Sequence, residues 1–333
     1  MKEKIFIAAH HYQHADIVKQ ADLVADSYRL AVEAAKSDAK YIVVCGVRFM
    51  AESVATLARS DQMVIHPNPR AGCPMADMVA VDTAEKAIEK IRGITGKTPV
   101  PVTYMNSGNA MKALTGRMGG SICTSGNAKK IMAHYLEGGA PILFMPDRNL
   151  GENTALALGL GKDDLAVVSR DGSEITGARP DTRVFLWDGF CPIHKVFTVA
   201  DIEEMRAAFP GINITVHPES LPEVVKAAGL SGSTEGMHHQ LRDAEAGSVW
   251  GVGTEIHFVE RMATLFPDKK IMPLRPSGCV NMILITPEKL AASLKAIEAH
   301  ERDGSPLETV VVPEAEREDA KAALTTMVRL TDA

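Results

Sequence analysis

The chain has 333 residues, of which 46% are hydrophobic, 23% charged and 5% aromatic, with a formal net charge of −6. That length suits two or three domains of roughly 100–150 residues, and mild acidity without a basic stripe excludes nucleic acid as a main partner. No apolar run approaches the roughly 20 residues of a membrane span, and the one in "MKEKIFIAAHH" is too short for a signal-peptide core. The five cysteines form no CxxC pair, which fits a reducing, cytoplasmic setting rather than a disulfide framework or a zinc ribbon.

Taken in chain order, short β-branched runs alternate with amphipathic stretches, the pattern of βα units on parallel sheets. The first unit opens with the strand "KIFIAAHHYQ" and turns at Ser27 in "VADS". It continues with "YIVVCGVRFMAES" and closes on "MVIHPNPRAGCPM" at Cys73. The second opens with "PVTYMNSGNA", turns at Ser125 in "CTSGNA", continues with "APILFMPDRNLGENT" and closes on "RVFLWDGFCPIH" at Cys191. The third runs from "NITVHPES" through Ser233 in "SGSTEGM" and "SVWGVGTEIHFVERM" to "KIMPLRPSGCVNM" at Cys279. The expected domains are 1–97, completed by 283–333; 98–209, with an insertion at about 159–182; and 210–282. The cysteines lie 118 and 88 residues apart, and the insertion accounts for the difference.

Cys73, Cys191 and Cys279 therefore share one position in the repeat, whereas Cys45 and Cys123 occupy others. Ligands bind at the carboxyl ends of strands in open α/β sheets. If three such units face one another around a pseudo-threefold axis, three thiolates meet in one cavity. Three sulfur donors with a vacant position suit zinc or an iron–sulfur cluster, and composition does not choose between them. His10 with Tyr12, Tyr104 with Asn106, and His217 with Glu219 follow apolar strands and would line the same cavity. They offer one carboxylate, two imidazoles and two phenols for proton transfer. Ser27, Ser125, Ser233 and Thr234 sit in turns leading into helices, where hydroxyls and amides bind carboxylate or phosphate; simple N-capping is the plainer role. "LGLGKDD" lacks the third glycine of a dinucleotide fingerprint and lies in the insertion. His66, His134 and His300 read as ordinary surface or core residues, and His194 in "CPIH" as a cavity-wall residue.

The ordered series "AHHYQ", "CGVRFMAE", "AGCPMAD", "VTYMNS", "CTSGNA", "PDRNLG", "GFCPIH", "HPES", "STEGM", "GTE" and "CVNM" resembles quinolinate synthase, the A protein of NAD biosynthesis, from about residue 7 to 285. The resemblance implies an α/β protein of three homologous αβα domains around a central cavity. It also implies a [4Fe–4S] cluster on Cys73, Cys191 and Cys279, with one iron open to substrate. The implied reaction condenses iminoaspartate with dihydroxyacetone phosphate, releasing phosphate and water and closing the pyridine ring of quinolinate. An iminoaspartate-producing enzyme would be the functional partner. Carried over residue by residue, His10, Ser27, Ser125, His217, Ser233 and Thr234 would bind carboxylates or phosphate. Tyr12, Tyr104, Asn106 and Glu219 would bind substrate and move protons. Two departures are Ser220, where the family often has a cysteine, and the long insertion. The alternative, from another class, is a non-catalytic protein holding a metal or a phosphorylated metabolite at a domain interface.

Overall fold

Continuous apolar runs such as Tyr41–Cys45, Ile142–Met145 and Val184–Trp187 are buried at every residue, as strands of a parallel sheet covered on both faces must be. In the computed structural model, which describes residues 2–332, these runs belong to three sheets. The first holds β1 (Ile5–His10), β2 (Leu23–Ala25), β3 (Tyr41–Cys45) and β4 (Met63–Ile65) in the order β2-β1-β3-β4. The second holds β5 (Val100–Tyr104), β6 (Ser121–Cys123), β7 (Ile142–Met145), β8 (Leu165–Val168), β9 (Ile175–Thr176) and β10 (Val184–Trp187), ordered β6-β5-β7-β10-β8-β9. The third holds β11 (Asn213–Val216), β12 (Gly229–Ser231), β13 (Val249–Gly253) and β14 (Lys270–Pro273), ordered β12-β11-β13-β14. One topology thus recurs three times, and the α/β class with three helix-flanked, largely parallel sheets is as expected.

Two details differ from the sequence reading. A short strand (β2, β6 or β12) precedes each serine turn, so each unit has four repeated strands rather than three. The insertion supplies β8 and the antiparallel β9 at one edge of the second sheet. The left-handed Gly172 lies against helix Val81–Thr95, where a Cβ would meet the Thr83 carbonyl oxygen at 2.1 Å.

The helices after the cysteine loops cross to the next unit. Ala84, Ala87, Ile88 and Ile91 of helix Val81–Thr95 pack with Leu143, Phe185 and Trp187 of the second sheet. Ile202 of helix Val199–Ala208 packs with Ile214 and Val216 of the third. Leu290 and Ile297 of helix Pro287–Asp303 pack with Ile7 and Val43 of the first, which closes the ring. Boundaries at 97/98 and 209/210 therefore fall after helices that belong with the following unit. The C-terminal segment, expected wholly on the first unit, divides. Helix Glu314–Asp332 lies along Asn109–Arg117 and β6 of the second, close enough that a Cβ on Gly116 would meet the Asp319 carbonyl oxygen at 1.9 Å. An amphipathic stripe shows that a helix covers a sheet but not which one.

Candidate active site

The carboxyl ends of all three sheets open onto one cavity of about 130 Å³. His10 and Tyr12 enter it at the end of β1, Tyr104 and Asn106 at the end of β5, and His217 and Glu219 after β11. Ser27, Ser125 and Thr234 enter after β2, β6 and β12, and Cys73, Cys191 and Cys279 after β4, β10 and β14. Cys45 and Cys123 are fully buried within β3 and β6 and are not part of its wall. Among the described residues no helix is long and apolar enough to cross a membrane.

The three cysteine loops are held alike. In each unit the first residue of a helix donates its amide to the carbonyl two residues before the cysteine. Arg48 donates to Ala71 (2.8 Å), Arg148 to Gly189 (2.9 Å) and Ile256 to Ser277 (2.8 Å). The equivalence of the cysteines therefore extends to their backbone partners.

A continuous acid–base network spans the wall. Tyr104 donates its hydroxyl to Glu219 Oε1 at 2.5 Å, and His194 Nδ1 lies 2.6 Å from Oε2. His194 Nε2 lies 3.0 Å from Thr254 Oγ1, which is 2.7 Å from the Tyr12 hydroxyl. The His194 and His217 rings stack with centroids 4.2 Å apart. Helix Arg148–Ala157 fixes the backbone under Glu219: Asn149 donates to the Glu219 carbonyl (3.1 Å) and Asn153 to those of Pro218 and Ser220.

His10 and His217 sit in matching turns. The amide of Tyr12 donates to His10 Nδ1 (3.2 Å) and that of Glu219 to His217 Nδ1 (3.3 Å). These bonds assign each neutral ring the Nε2–H tautomer. Burial, reinforced by neighbouring cationic groups, lowers His10 well below the ordinary imidazole range, and burial with the His194 ring lowers His217 to about 3. Both are therefore neutral donors near pH 7. Burial raises both phenols, with the nearby Glu219 carboxylate adding to the effect, so Tyr12 and Tyr104 stay protonated. For Glu219 burial works against ionisation. The His217 and His194 rings and the hydrogen bonds from His194 and Tyr104 outweigh it and hold the carboxyl below its ordinary range. The result is a buried carboxylate held between a phenol and an imidazole.

The serine positions fare unequally. Ser27 and Thr234 are the first residues of helices Ser27–Lys36 and Thr234–Asp243, and Ser125 lies just before helix Ala128–Glu137. Ser233 is not in the wall: its hydroxyl accepts from the Gly236 amide at 3.1 Å and caps its own helix. Asp26, which caps the Ser27 helix, and Thr124 also line the cavity and were not singled out in the sequence. His194 is a wall residue, as expected, but it is also bonded to Glu219. Thr254 was missed, because a threonine after a strand reads as a cap; the "GTE" motif was its only signal. Cys191, His194 and Glu219 bring one donor atom each within 4.8 Å of one another.

Three repeated αβα units, with phenols, imidazoles and a carboxylate gathered in one cavity at their strand ends, mark an α/β enzyme with its candidate active site between the sheets. The chain belongs to the quinolinate synthetase A protein family, whose model matches residues 1–329. A quinolinate synthase of Bacillus cereus is 41% identical over 333 residues, covering 98% of this chain and 89% of the relative. One from Corynebacterium glutamicum is 40% identical over 339 residues, covering 99% and 85%. One from Geobacillus kaustophilus is 41% identical over 332 residues, covering 98% and 89%. The family is thus one of NAD-biosynthetic enzymes.

Proposed function

We propose that the protein condenses iminoaspartate with dihydroxyacetone phosphate to give quinolinate, phosphate and water, and that it carries a [4Fe–4S] cluster on Cys73, Cys191 and Cys279. The observation that supports this best is the Tyr104–Glu219–His194–Thr254–Tyr12 network facing three equivalent cysteine loops across one cavity. The donor set fits such a cluster. Three thiols reach the cavity, one from each unit. As free thiols they are costly to ionise: burial pushes Cys73 up to about 12 and holds Cys191 and Cys279 above the ordinary range. A bound cationic group offsets that cost. When bound, the cluster supplies a Lewis-acidic iron with an open position for a substrate oxygen or nitrogen.

The chain's own groups supply the rest. His10 and His217, neutral and donating from Nε2, bind carboxylate or phosphate oxygens without carrying charge themselves. Ser27, Ser125 and Thr234 add hydroxyl donors at helix starts. Glu219 accepts a proton from substrate carbon at Oε1 or Oε2, while Tyr104 and His194, already bonded to those oxygens, supply or remove protons as hydroxyl leaves as water. Tyr12 extends the relay through Thr254, and Asn106 orients substrate beside Tyr104. Iminoaspartate comes from a separate enzyme, and five unpaired cysteines suit the reducing cytoplasm. Anaerobic incubation with both substrates tests the reaction: quinolinate and stoichiometric phosphate are expected, and cluster-loaded protein forming neither refutes it.

The proximity of Cys191, His194 and Glu219 favours a second reading, a metal-binding protein with a Cys-His-Glu site. It is separated from the first by metal identity: a single zinc that needs His194 and leaves Cys73 and Cys279 dispensable.

A further inference from the structure

Two conspicuous motifs, "PDRNLG" and "GTE", contribute more than the cavity residues already described. Each begins a helix directly after the third repeated strand of its unit, β7 or β13, and each places a fully buried carboxylate there. Asp147 accepts the Leu150 amide with Oδ1 (2.7 Å), capping helix Arg148–Ala157, and the Cys191 amide with Oδ2 (3.2 Å). Glu255 accepts the His257 amide with Oε2 (2.8 Å), capping helix Ile256–Leu265, and the Cys279 amide with Oε1 (3.2 Å). The first unit has Val47 at the corresponding position, with no side-chain cap, so no carboxylate reaches Cys73 there.

We propose that Asp147 and Glu255 are positioning residues that anchor the Cys191 and Cys279 loops to their helices, leaving Cys73 as the one ligand cysteine whose own amide no helix-capping carboxylate holds. A helix cap alone needs one acceptor. These carboxylates use both oxygens, and the second oxygen in each case accepts a cysteine amide, Glu255 Oε1 also lying 2.9 Å from His257 Nδ1. Burying a carboxylate is expensive unless every oxygen is hydrogen-bonded, and a neutral Ser or Asn would serve as a cap without that cost. The bracket therefore does something a cap does not: it fixes the backbone from which a thiol projects. The inference rests on the reading of the three cysteines as cluster ligands.

Asp147→Asn and Glu255→Gln separate the two roles. The amide oxygen can still cap the helix, but the NH₂ group cannot accept the cysteine amide. Iron-free protein, prepared anaerobically with chelator, is treated with iodoacetamide, and the alkylation rate of each cysteine is followed by peptide mass spectrometry. Loss of one hydrogen bond is expected to speed alkylation about threefold to tenfold, at Cys191 alone in Asp147→Asn and at Cys279 alone in Glu255→Gln, in protein that still unfolds in one cooperative transition. Unchanged rates at the target cysteine, or equal acceleration at all three, overturn the inference. Should Asp147→Asn not fold, Glu255→Gln decides by the same readout. Because the measurement uses iron-free protein, its failure is distinct from failure of the cluster reading, which shows as wild-type protein that never takes up iron.

Discussion

Two clusters of metal-donor side chains, one shared by the second and third units and one on a helix of the third, show by their contrast what makes a reactive site. Cys191, His194 and Glu219 lie in the cavity wall; Glu235, His238 and His239 lie on the outer face of helix Thr234–Asp243. The Glu219 side chain is 3% exposed and bonded to a phenol and an imidazole, whereas that of Glu235 is 19% exposed and pairs with Arg29, His11 and His239. Neighbouring groups hold both carboxyls below their ordinary range, the His217 and His194 rings for Glu219 and the His11 hydrogen bond for Glu235. Glu219 differs in facing the cavity, where a substrate proton can reach it. Donor types recur on both faces; desolvation and the partner set distinguish them.

The strongest way to break this contrast is Glu219→Gln. Quinolinate formation should fall at least about a hundredfold, with cluster content and melting temperature near wild type. A folded, cluster-loaded variant within a few-fold of wild type removes Glu219 from proton transfer. Tyr104→Phe deletes one hydrogen bond to the same carboxylate, and a loss of roughly tenfold in kcat is expected, with KM little changed. A change in KM alone would make Tyr104 a binding group only.

Acid sharpens the comparison further. Folded His217 stays neutral down to about pH 3, while in the unfolded chain it takes up a proton below about 6.5. Between those values the unfolded state binds more protons, so stability falls as pH falls. His217→Asn should flatten the melting-temperature slope between about pH 6.5 and 5, and an unaltered slope would show that His217 is not held neutral. The smallest effect belongs to Glu235→Gln. Partly exposed ion pairs contribute about 0–1 kcal/mol, so melting should shift by a few degrees at most and activity stay within about twofold. A hundredfold loss there would erase the distinction between the two clusters.

Much of this site was legible because strand ends carry it. Cys73, Cys191 and Cys279 stand out from Cys45 and Cys123 once the repeat is aligned, and His10, Tyr104 and Glu219 follow apolar runs that could only be strands. Ser233 looked equivalent to Ser27 and Ser125, but its hydroxyl turned to its own helix amide, a choice that depends on rotamer rather than residue type. Thr254 and Asp147 were hidden because a polar residue after a strand is ordinarily a cap, and their second partners come from residues 242 and 44 positions away in the chain. The crossing of helices Val81–Thr95 and Val199–Ala208 to the next unit was illegible for a related reason: their apolar faces name no partner.

The central claim, that three equivalent loops hold one iron–sulfur cluster, is tested most directly by metal analysis of protein purified without oxygen, alongside single Cys→Ser variants. A brown protein with about four irons per chain, lost in the Cys73, Cys191 and Cys279 variants and kept in those of Cys45 and Cys123, is the expected result. A colourless protein with one zinc, or a cluster that survives loss of Cys279 but not of Cys45, would contradict it.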